Sequence, residues 1–152
     1  MTGVASLDRF LLKHNHIGLD TSIFIYELED YPRYQPLARR TFQWLAEPPH
    51  SGVTSTLTMT EVLTRPYAQQ SPLLVNAYYK LLSLYPNLDW IAPDLEIADL
   101  AARFRAEHKM RTPDAIQAAT AVRSGAKGFI SNDPVFRRVP GLDVLLFEEL
   151  AT

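Results

Sequence analysis

Short apolar runs alternate along this chain with segments in which hydrophobic residues recur every three or four positions. Runs of about four or five residues, most of them bounded by Gly, Pro, Asn or Asp, predict strands, and the longer period predicts helices. The alternation favours an α/β domain with a mostly parallel sheet. The predicted strands are His16–Leu19, Gly52–Ser55, Trp90–Ala92, Gly128–Ser131 and Asp143–Phe147.

Hydrophobic stripes with helical spacing lie before and between these strands. One stripe consists of small residues, which would let its helix approach the sheet closely. The first segment, residues 4–13, is a further predicted helix within an N-terminal extension over residues 1–15. The stripes are Val4, Leu7 and Leu11; Leu37, Thr41, Trp44 and Leu45; Leu74, Ala77, Leu81 and Leu84; Ile97, Leu100, Ala101 and Phe104; and the small residues Ala115, Ala118, Ala119 and Val122.

The overall composition limits the kind of protein this can be. A chain of 152 residues with 47% hydrophobic content suits one globular domain over residues 1–152, with a single core. Its net charge of −2 gives no overall attraction to nucleic acid, so such contact needs local basic patches or cations in an acidic site. The histidines lack metal-binding spacing, and no glycine-rich phosphate loop is present.

Cysteine and long apolar segments are absent from the sequence. Without cysteine there is no disulfide framework, thiolate nucleophile or cysteine zinc site. No stretch approaches the roughly 20 apolar residues that a bilayer-spanning helix needs, and Asp8 and Arg9 make the N-terminus a poor signal peptide. We therefore expect a soluble cytoplasmic protein that has no membrane partner.

Four carboxylates stand where the predicted topology could bring them together. Asp20 directly follows the first strand, Glu61 lies one short turn after the second, and Asp133 follows the fourth. Asp114 opens the small-residue helix. In a parallel α/β sheet, ligands bind beyond the carboxyl ends of the strands, so these four positions are candidates for a functional site.

Each acid also has a purely structural interpretation. Asp20 and Asp133 could cap the helical turns that follow them, and Thr58 with Glu61 has the spacing of a capping box. Asp114 follows a Thr cap and a Pro at the start of its helix, where an acid favours the helix dipole. Taken singly, the four residues leave capping and function open.

The four acids considered together predict a cation. Two like charges about 4 Å apart cost on the order of 4 kcal/mol at an effective dielectric near 20, so a converging cluster needs a cation or partial protonation. Ligands that are all oxygen, without Cys or well-placed His, select a hard ion such as Mg²⁺ or Mn²⁺. An ion held in this way would also let an acidic protein engage phosphate.

Polar and basic neighbours of the acids are candidates for supporting roles. Thr21 and Ser22 could hydrogen-bond Asp20 or a metal-bound water, or simply occupy a first helical turn, and Asn132 could act similarly or serve a turn. Several arginines flank the acids and could contact an RNA backbone, or belong to a solvated surface. These candidates for RNA contact are Arg111, Arg137 and Arg138.

Four segments together resemble the motifs of PIN-domain proteins. The segment His16–Tyr26 is similar to the family's opening, in which a short strand ends in an Asp followed by Thr or Ser. Thr58–Leu63 resembles the second acidic motif, Arg111–Ala119 the third and Ser131–Phe136 the fourth. The resemblance covers residues 16–147, and the length and motifs are most similar to VapC-type toxins of bacterial or archaeal toxin–antitoxin pairs.

This resemblance implies a PIN-like three-layer α/β/α sandwich and endonucleolytic cleavage of RNA that depends on Mg²⁺ or Mn²⁺. It also implies a cognate antitoxin protein that blocks the site, and a homodimer. Two features depart from the family pattern. An extra N-terminal segment precedes His16, and Ser131 stands where Thr is common, which keeps the hydroxyl group.

The resulting hypothesis is hydrolysis of RNA phosphodiester bonds by metal-activated water, in the toxin of a type II toxin–antitoxin pair. Asp20, Asp114 and Asp133 would be direct or water-mediated metal ligands, and Glu61 a further ligand or the group that orients the attacking water. The products would carry a 5′-phosphate and a 3′-hydroxyl. The alternatives are a non-catalytic PIN-like RNA-binding or scaffold protein, and a DNA-directed nuclease, a class that usually carries extra helical DNA-binding segments.

Overall fold

The computed structural model describes residues 2–150, which form a five-stranded sheet, seven α-helices and two short 3-10 segments. No helix in this part of the chain has both the length and the apolar character needed to cross a membrane. The helices are α1 (Gly3–Leu12), α2 (Thr21–Leu28), α3 (Gln35–Leu45), α4 (Leu57–Ala68), α5 (Pro72–Ser83), α6 (Leu95–His108) and α7 (Thr112–Arg123). The strands are β1 (His16–Leu19), β2 (Ser51–Ser55), β3 (Leu88–Ile91), β4 (Gly128–Ser131) and β5 (Asp143–Leu146), and the 3-10 segments are Pro134–Arg138 and Phe147–Glu149.

All five strands run parallel, in the spatial order β3-β2-β1-β4-β5. β1 occupies the centre and pairs with β2 on one side and β4 on the other. The carboxyl ends of these three strands therefore share one edge of the sheet. The expected α/β fold is confirmed, and the sheet is parallel throughout.

Three strands have boundaries that differ from the predicted ones. β3 begins at Leu88, two residues before the predicted start, because its register with β2 begins there, and it ends at Ile91. β2 begins one residue early, at Ser51, which pairs with β1. β5 ends at Leu146 because Phe147 starts a 3-10 segment. These boundaries depend on the pairing with a neighbouring strand, which a local sequence pattern does not contain.

Two hydrophobic cores on opposite faces of the sheet give the fold its three layers. One core packs α1, α2 and α3 against the sheet and includes Phe24 and Phe42. The other packs α6 and α7 and includes Phe104 and Phe129. Successive side chains along a strand point to opposite faces, so the short strands β1 and β4 contribute to both cores. The expected α/β/α sandwich is therefore confirmed.

The buried face of α5 is shifted by one residue from the predicted stripe. α5 buries Val75 and Leu82, whereas Leu81 and the following Leu84 are 50% and 68% exposed. Most positions of this helix are apolar, so two adjacent stripes fit the helical period equally well. Packing against α4 selects one of them. The helix is therefore confirmed, and its predicted buried face is wrong.

Helix α7 lies very close to β1 at Gly18. A Cβ atom on Gly18 would lie 2.6 Å from a ring carbon of Phe129 and 2.8 Å from the Cβ of Ala121. Both neighbours are 1% exposed, so neither has free space to move into. The missing side chain at Gly18, together with the small residues of α7, thus permits the observed distance between helix and sheet.

We expect Gly18→Ala to lower the free energy of unfolding by about 1–3 kcal/mol, because the added methyl group overlaps buried atoms that cannot retreat. Urea denaturation of the variant and the wild type measures this difference. The double variant Gly18→Ala, Phe129→Leu is the control, because removing the ring makes room. The double variant should lose less free energy of unfolding than the sum of the losses in the two single variants. Additive losses, or a Gly18→Ala variant as stable as the wild type, would contradict the packing argument.

Candidate active site

Four carboxylates that are distant in the sequence lie near one another beyond the carboxyl ends of β1 and β4. Asp20 follows β1 directly and is the N-cap residue of α2, and Asp133 lies at the start of the first 3-10 segment after β4. Glu61 lies in α4, and Asp114 lies in the first turn of α7. Asp20, Asp114 and Asp133 are partly buried, whereas Glu61 is exposed.

A single hydroxyl group connects the ends of β1 and β4. The Oγ of Ser131 donates a hydrogen bond to Oδ2 of Asp20 at 2.7 Å and accepts one from the backbone N–H of Asp133 at 3.0 Å. The side chain of Ser131 is fully buried, so this arrangement is fixed by its surroundings. Ser131 therefore holds two of the candidate acids in a defined relation to each other.

Asp20 and Asp133 also cap the turns that follow them, as the structural interpretation proposed. Oδ1 of Asp20 accepts from the backbone N–H of Thr21 at 2.9 Å, and Oδ1 of Asp133 accepts from that of Val135 at 2.9 Å. Each cap uses one carboxylate oxygen, and an ionised carboxylate has about four acceptor sites in total. Capping and a role in a shared site are thus compatible for both residues.

The capping box that the spacing of Thr58 and Glu61 allowed does not form. α4 begins at Leu57 after Thr56, whose side chain makes no capping hydrogen bond. Thr58 lies inside the helix and is fully buried. Glu61 does not bond back to the start of its own helix in any described contact, and its Oε1 instead accepts a hydrogen bond from Oγ1 of Thr21 at 2.7 Å. Tertiary contact with α2 therefore decides the orientation of this carboxylate.

Asp114 lies one helical position later than predicted, because α7 begins at Thr112. Arg111, and not Thr112, occupies the N-cap position of α7, and it makes no side-chain capping bond. The carboxylate of Asp114 lies 3.5 Å from Nε of Arg111, whose side chain is 80% exposed. An ion pair of this kind is weak because water screens it. Arg111 therefore offsets only a small part of the negative charge of the site.

Burial and repulsion both act on Asp20. Burial raises the pKa of its carboxyl to about 6, although the hydrogen bonds from Ser131 and Thr21 favour the ionised form. Repulsion by the carboxylates of Asp114 and Glu61 makes a smaller contribution to the same rise. A carboxyl group with this pKa takes up a proton near neutral pH unless a cation stabilises its charge.

Asp114 interacts with all three of the other acids. Burial raises the pKa of its carboxyl, Arg111 opposes this rise, and repulsion by Asp133 and Glu61 adds to it. Asp114 in turn acts on Asp20. The four carboxylates thus form one electrostatically coupled group, which we call the acidic cluster. The structure brings together all four acids that the sequence pointed to.

The chemistry of the acidic cluster fits a hard divalent ion. Its donors are carboxylate oxygens, the ligands that Mg²⁺ and Mn²⁺ prefer, and its uncompensated negative charge favours a cation. Among residues 2–150, however, no three carboxylate or imidazole groups converge closely enough to hold an ion by themselves. Water and substrate oxygens would have to supply the remaining ligands, which is usual for Mg²⁺.

A buried polar network lies beneath the acidic cluster, and sequence reasoning missed most of it. The amide of Gln117 donates to Oγ1 of Thr58 at 2.8 Å and accepts from the backbone N–H of Ser55 at 3.2 Å. Thr58 also contacts Oγ1 of Thr54 at 2.7 Å and Oγ1 of Thr21 at 3.2 Å. The one available signal was a glutamine inside the small-residue stripe of α7, on a helix that was expected to pack against the sheet.

The three predicted supporting residues have different surroundings. Thr21 contacts the cluster directly through Glu61. Ser22 is in the first turn of α2, and its Oγ is buried without a hydrogen-bond partner among the described residues. Asn132 donates to the hydroxyl of Tyr26 at 3.1 Å and accepts from the backbone N–H of Glu148 at 2.7 Å, so its contacts are with residues distant in the sequence and outside the acidic cluster.

Two of the three predicted RNA-contacting arginines are engaged elsewhere. Arg137 forms an ion pair with Glu149, and Arg138 donates to the backbone carbonyl of His108 at 3.1 Å. Both side chains thus stabilise local structure at the surface. Arg111 is the predicted basic residue that lies beside an acid of the cluster.

Several solved structures of toxins and toxin–antitoxin complexes share this fold. A toxin–antitoxin complex from Klebsiella pneumoniae has a TM-score of 0.66 at 24% identity, covering 87% of this chain and 97% of that chain. FitAcB from Neisseria gonorrhoeae has a TM-score of 0.66 at 18% identity, covering 89% and 99%. VapC20 of Mycobacterium tuberculosis, described as a toxin that cleaves the sarcin-ricin loop, has a TM-score of 0.63 at 18% identity, covering 80% and 92%. Identities this low show a common fold and no more.

Comparison with protein families gives a more direct assignment. The search of curated proteins finds no match. The family model described as the PIN domain matches residues 17–142, which include all but the first residue of β1, the whole of β4 and all four members of the acidic cluster. This match covers far more than half of the chain, so the chain belongs to the PIN domain family.

Proposed function

We propose that this protein is a metal-dependent endoribonuclease and the toxin of a type II toxin–antitoxin pair. The observation that carries the proposal is the acidic cluster, in which burial and repulsion by two other acids raise the pKa of Asp20 to about 6. Such a group is costly to maintain without a cation, and its oxygen donors suit Mg²⁺ or Mn²⁺. The PIN domain match supports a nuclease over the other classes of small α/β domain.

In this proposal the residues of the cluster divide into two roles. Asp20, Asp114 and Asp133 hold the divalent ion, directly or through water. When bound, such an ion supplies positive charge that stabilises phosphoryl oxygens and acidifies water. Glu61 orients the attacking water and accepts its proton at Oε2, because Oε1 already accepts the hydroxyl proton of Thr21.

The proposed reaction consumes one water molecule for each bond that is cleaved. The water oxygen forms a bond to phosphorus, and the bond between phosphorus and the 3′-oxygen breaks. The 3′-oxygen takes up a proton from solvent, in place of the one that Glu61 accepted from the water, so the products carry a 5′-phosphate and a 3′-hydroxyl. Ser131 and Thr21 keep Asp20 and Glu61 in place during this exchange through their hydrogen bonds.

Three further parts of the proposal concern partners and location. We propose a cognate antitoxin that covers the acidic cluster, a homodimer of the chain, and action on RNA in the cytoplasm. The neighbours in fold, which include a toxin–antitoxin complex and a toxin described as cleaving the sarcin-ricin loop, support the antitoxin and the action on RNA.

A non-catalytic PIN-like RNA-binding or scaffold protein is the second candidate. The capping bonds of Asp20 and Asp133 favour it, because they give both acids a structural purpose. It does not account for Glu61, whose carboxylate is exposed and bonded to another helix. Cleavage assays on RNA and DNA substrates separate this candidate, and a DNA-directed nuclease, from the proposed ribonuclease.

Asp20→Asn should lower cleavage of a labelled RNA in Mn²⁺ by at least about 100-fold, equivalent to about 2.7 kcal/mol in the barrier, because it removes a charged ligand. Asp99→Asn, which changes an exposed acid of α6 outside the cluster, is the matched control and should cleave like the wild type. Cleavage that continues unchanged in a chelator, or products ending in a cyclic phosphate, would rule out the metal-dependent mechanism.

Without divalent ions, the charge of the cluster should make the folded protein less stable as pH rises. The pKa of Asp20 is about 6 in the folded protein and near 3.8 in the unfolded chain, so the folded state binds more protons between these values. The free energy of unfolding therefore falls as pH increases through this window. Asp20→Asn removes this effect.

We accordingly expect Asp20→Asn to be more stable than the wild type by about 1–2 kcal/mol at neutral pH in a chelator, with the difference shrinking as pH falls and reversing in sign towards about pH 4. The gain is below the full value for a shift of this size because an amide oxygen replaces only part of the two accepted hydrogen bonds. Thermal unfolding with added Mn²⁺ should raise the Tm of the wild type more than that of the variant. A wild type that is the more stable protein at neutral pH without metal would contradict the charge argument.

Expression of the chain alone in a bacterial host should slow growth, and Asp114→Asn should relieve the inhibition. Asp99→Asn again serves as the control and should remain inhibitory, with immunoblots confirming equal amounts of each protein. Equal inhibition by the Asp114→Asn variant would remove catalysis from the explanation of toxicity.

A further inference from the structure

The side-chain amide of Gln117 has only one possible orientation. Gln117 is 2% exposed, and the backbone N–H of Ser55 points at one of its two terminal atoms at 3.2 Å. A backbone N–H can only donate, so the atom that faces it must be the oxygen Oε1. The nitrogen Nε2 must therefore face Oγ1 of Thr58, at 2.8 Å, and Oγ1 of Thr21, at 3.5 Å.

This orientation determines the direction of the hydrogen bonds through two buried threonines. The hydroxyl of Thr54 donates to the backbone carbonyl of Leu19 at 2.9 Å, so its single proton is used. It must then accept from the hydroxyl of Thr58, which lies 2.7 Å away. Thr58 in turn accepts from the amide of Gln117. This branch ends on the carbonyl that immediately precedes Asp20.

The second branch leads to Glu61. The hydroxyl of Thr58 has already given its proton to Thr54, so it has none for Thr21 at 3.2 Å. The hydroxyl of Thr21 therefore receives the second proton of the Gln117 amide and donates its own to Oε1 of Glu61 at 2.7 Å. An ionised carboxylate only accepts, so every proton in this branch has one direction.

Burial makes this direction stable. Thr21, Thr54 and Thr58 are 7%, 1% and 0% exposed, so water does not compete for their hydroxyl groups. Each hydroxyl has one proton, and reversing any single bond would leave a buried donor or acceptor unpaired, at a cost of about 1–3 kcal/mol. The whole network consequently has one self-consistent arrangement, which begins at the amide of Gln117.

We propose that Gln117 is a positioning residue for Glu61. Its amide directs the hydroxyl proton of Thr21 onto Oε1 of Glu61, which holds that carboxylate in place and leaves Oε2 to face the attacking water. The inference rests on the proposed ribonuclease function, to which it adds a residue that touches neither metal nor substrate.

A double-mutant cycle on kcat tests whether Gln117 acts through Thr21. Thr21→Val removes the donor to Glu61 and keeps the shape, and we expect kcat to fall about 10–100-fold, with the KM for RNA changed less than about 3-fold. Thr21→Ser restores the hydroxyl and should recover most of this loss. Gln117→Met should lower kcat about 10-fold, and the double variant should be no slower than Thr21→Val alone. If the losses in kcat multiply in the double variant, or if the substitutions change KM and not kcat, the proposal is overturned.

A second variant keeps the test decisive if Gln117→Met does not fold. Gln117→Glu retains the size and the acceptor for Ser55, but it supplies one proton when neutral and none when ionised, where the amide supplies two. Its kcat should therefore fall, and wild-type kcat in this variant would contradict the inference.

Crystal structures give a readout apart from activity. In Thr21→Val and in either Gln117 variant, the Glu61 carboxylate should leave its wild-type position, and an unmoved carboxylate would overturn the proposal.

The failure of this inference is distinguishable from the failure of the proposed function. A wild-type protein that cleaves no RNA overturns the proposed function and the role of Gln117 with it. A wild type that cleaves RNA in a chelator-sensitive way, while the cycle is multiplicative, overturns the role of Gln117 alone.

Discussion

The close approach of α7 to the central strand is the constraint on which the rest of this structure depends. Gly18 leaves room for Phe129 and for Ala121 of α7, and no larger residue would fit there without displacing buried atoms. The same helix carries Asp114 in its first turn and Gln117 one turn later. Both the acidic cluster and the network beneath it therefore require α7 to lie directly on β1. Core packing and the chemistry of the site are two consequences of one contact.

The acidic cluster combines two uses of a carboxylate that are often treated as alternatives. Asp20 and Asp133 satisfy backbone N–H groups at the starts of their turns and repel other acids at the same time. The hydrogen bonds offset part of the cost of burying these charges. The remaining cost is what makes the site attractive to a divalent ion. Local capping thus positions the acids, and their mutual repulsion favours the binding of a divalent ion.

The buried network fixes the direction of the hydrogen bonds that lead to Glu61. A hydrophobic layer beneath the acids would pack as well, but it would leave the carboxylate of Glu61 without a fixed partner. Gln117 and the three threonines connect it instead to the backbone of β1 and β2 through bonds that each run one way. Buried polar groups are costly unless they are fully hydrogen-bonded. The groups of this network all have hydrogen-bond partners among the described residues. The orientation of an exposed side chain is therefore set from within the core.

The five strands, five of the seven helices, the four acids and the family resemblance were evident from the sequence, because hydrophobic period and acidic motifs are local properties. Asp20 at the end of β1 and Asp133 after β4 could be placed at one sheet edge from topology alone. Sequence could not choose between the stripes of α5, where Leu82 is buried and Leu81 exposed, since both fit the helical period. It also allowed a local capping box of Thr58 and Glu61, whereas tertiary contacts give each a different partner. Hydrogen bonds such as that of Gln117 to Thr58 join residues 59 positions apart, so only the packing of α7 on β1 and α4 decides them.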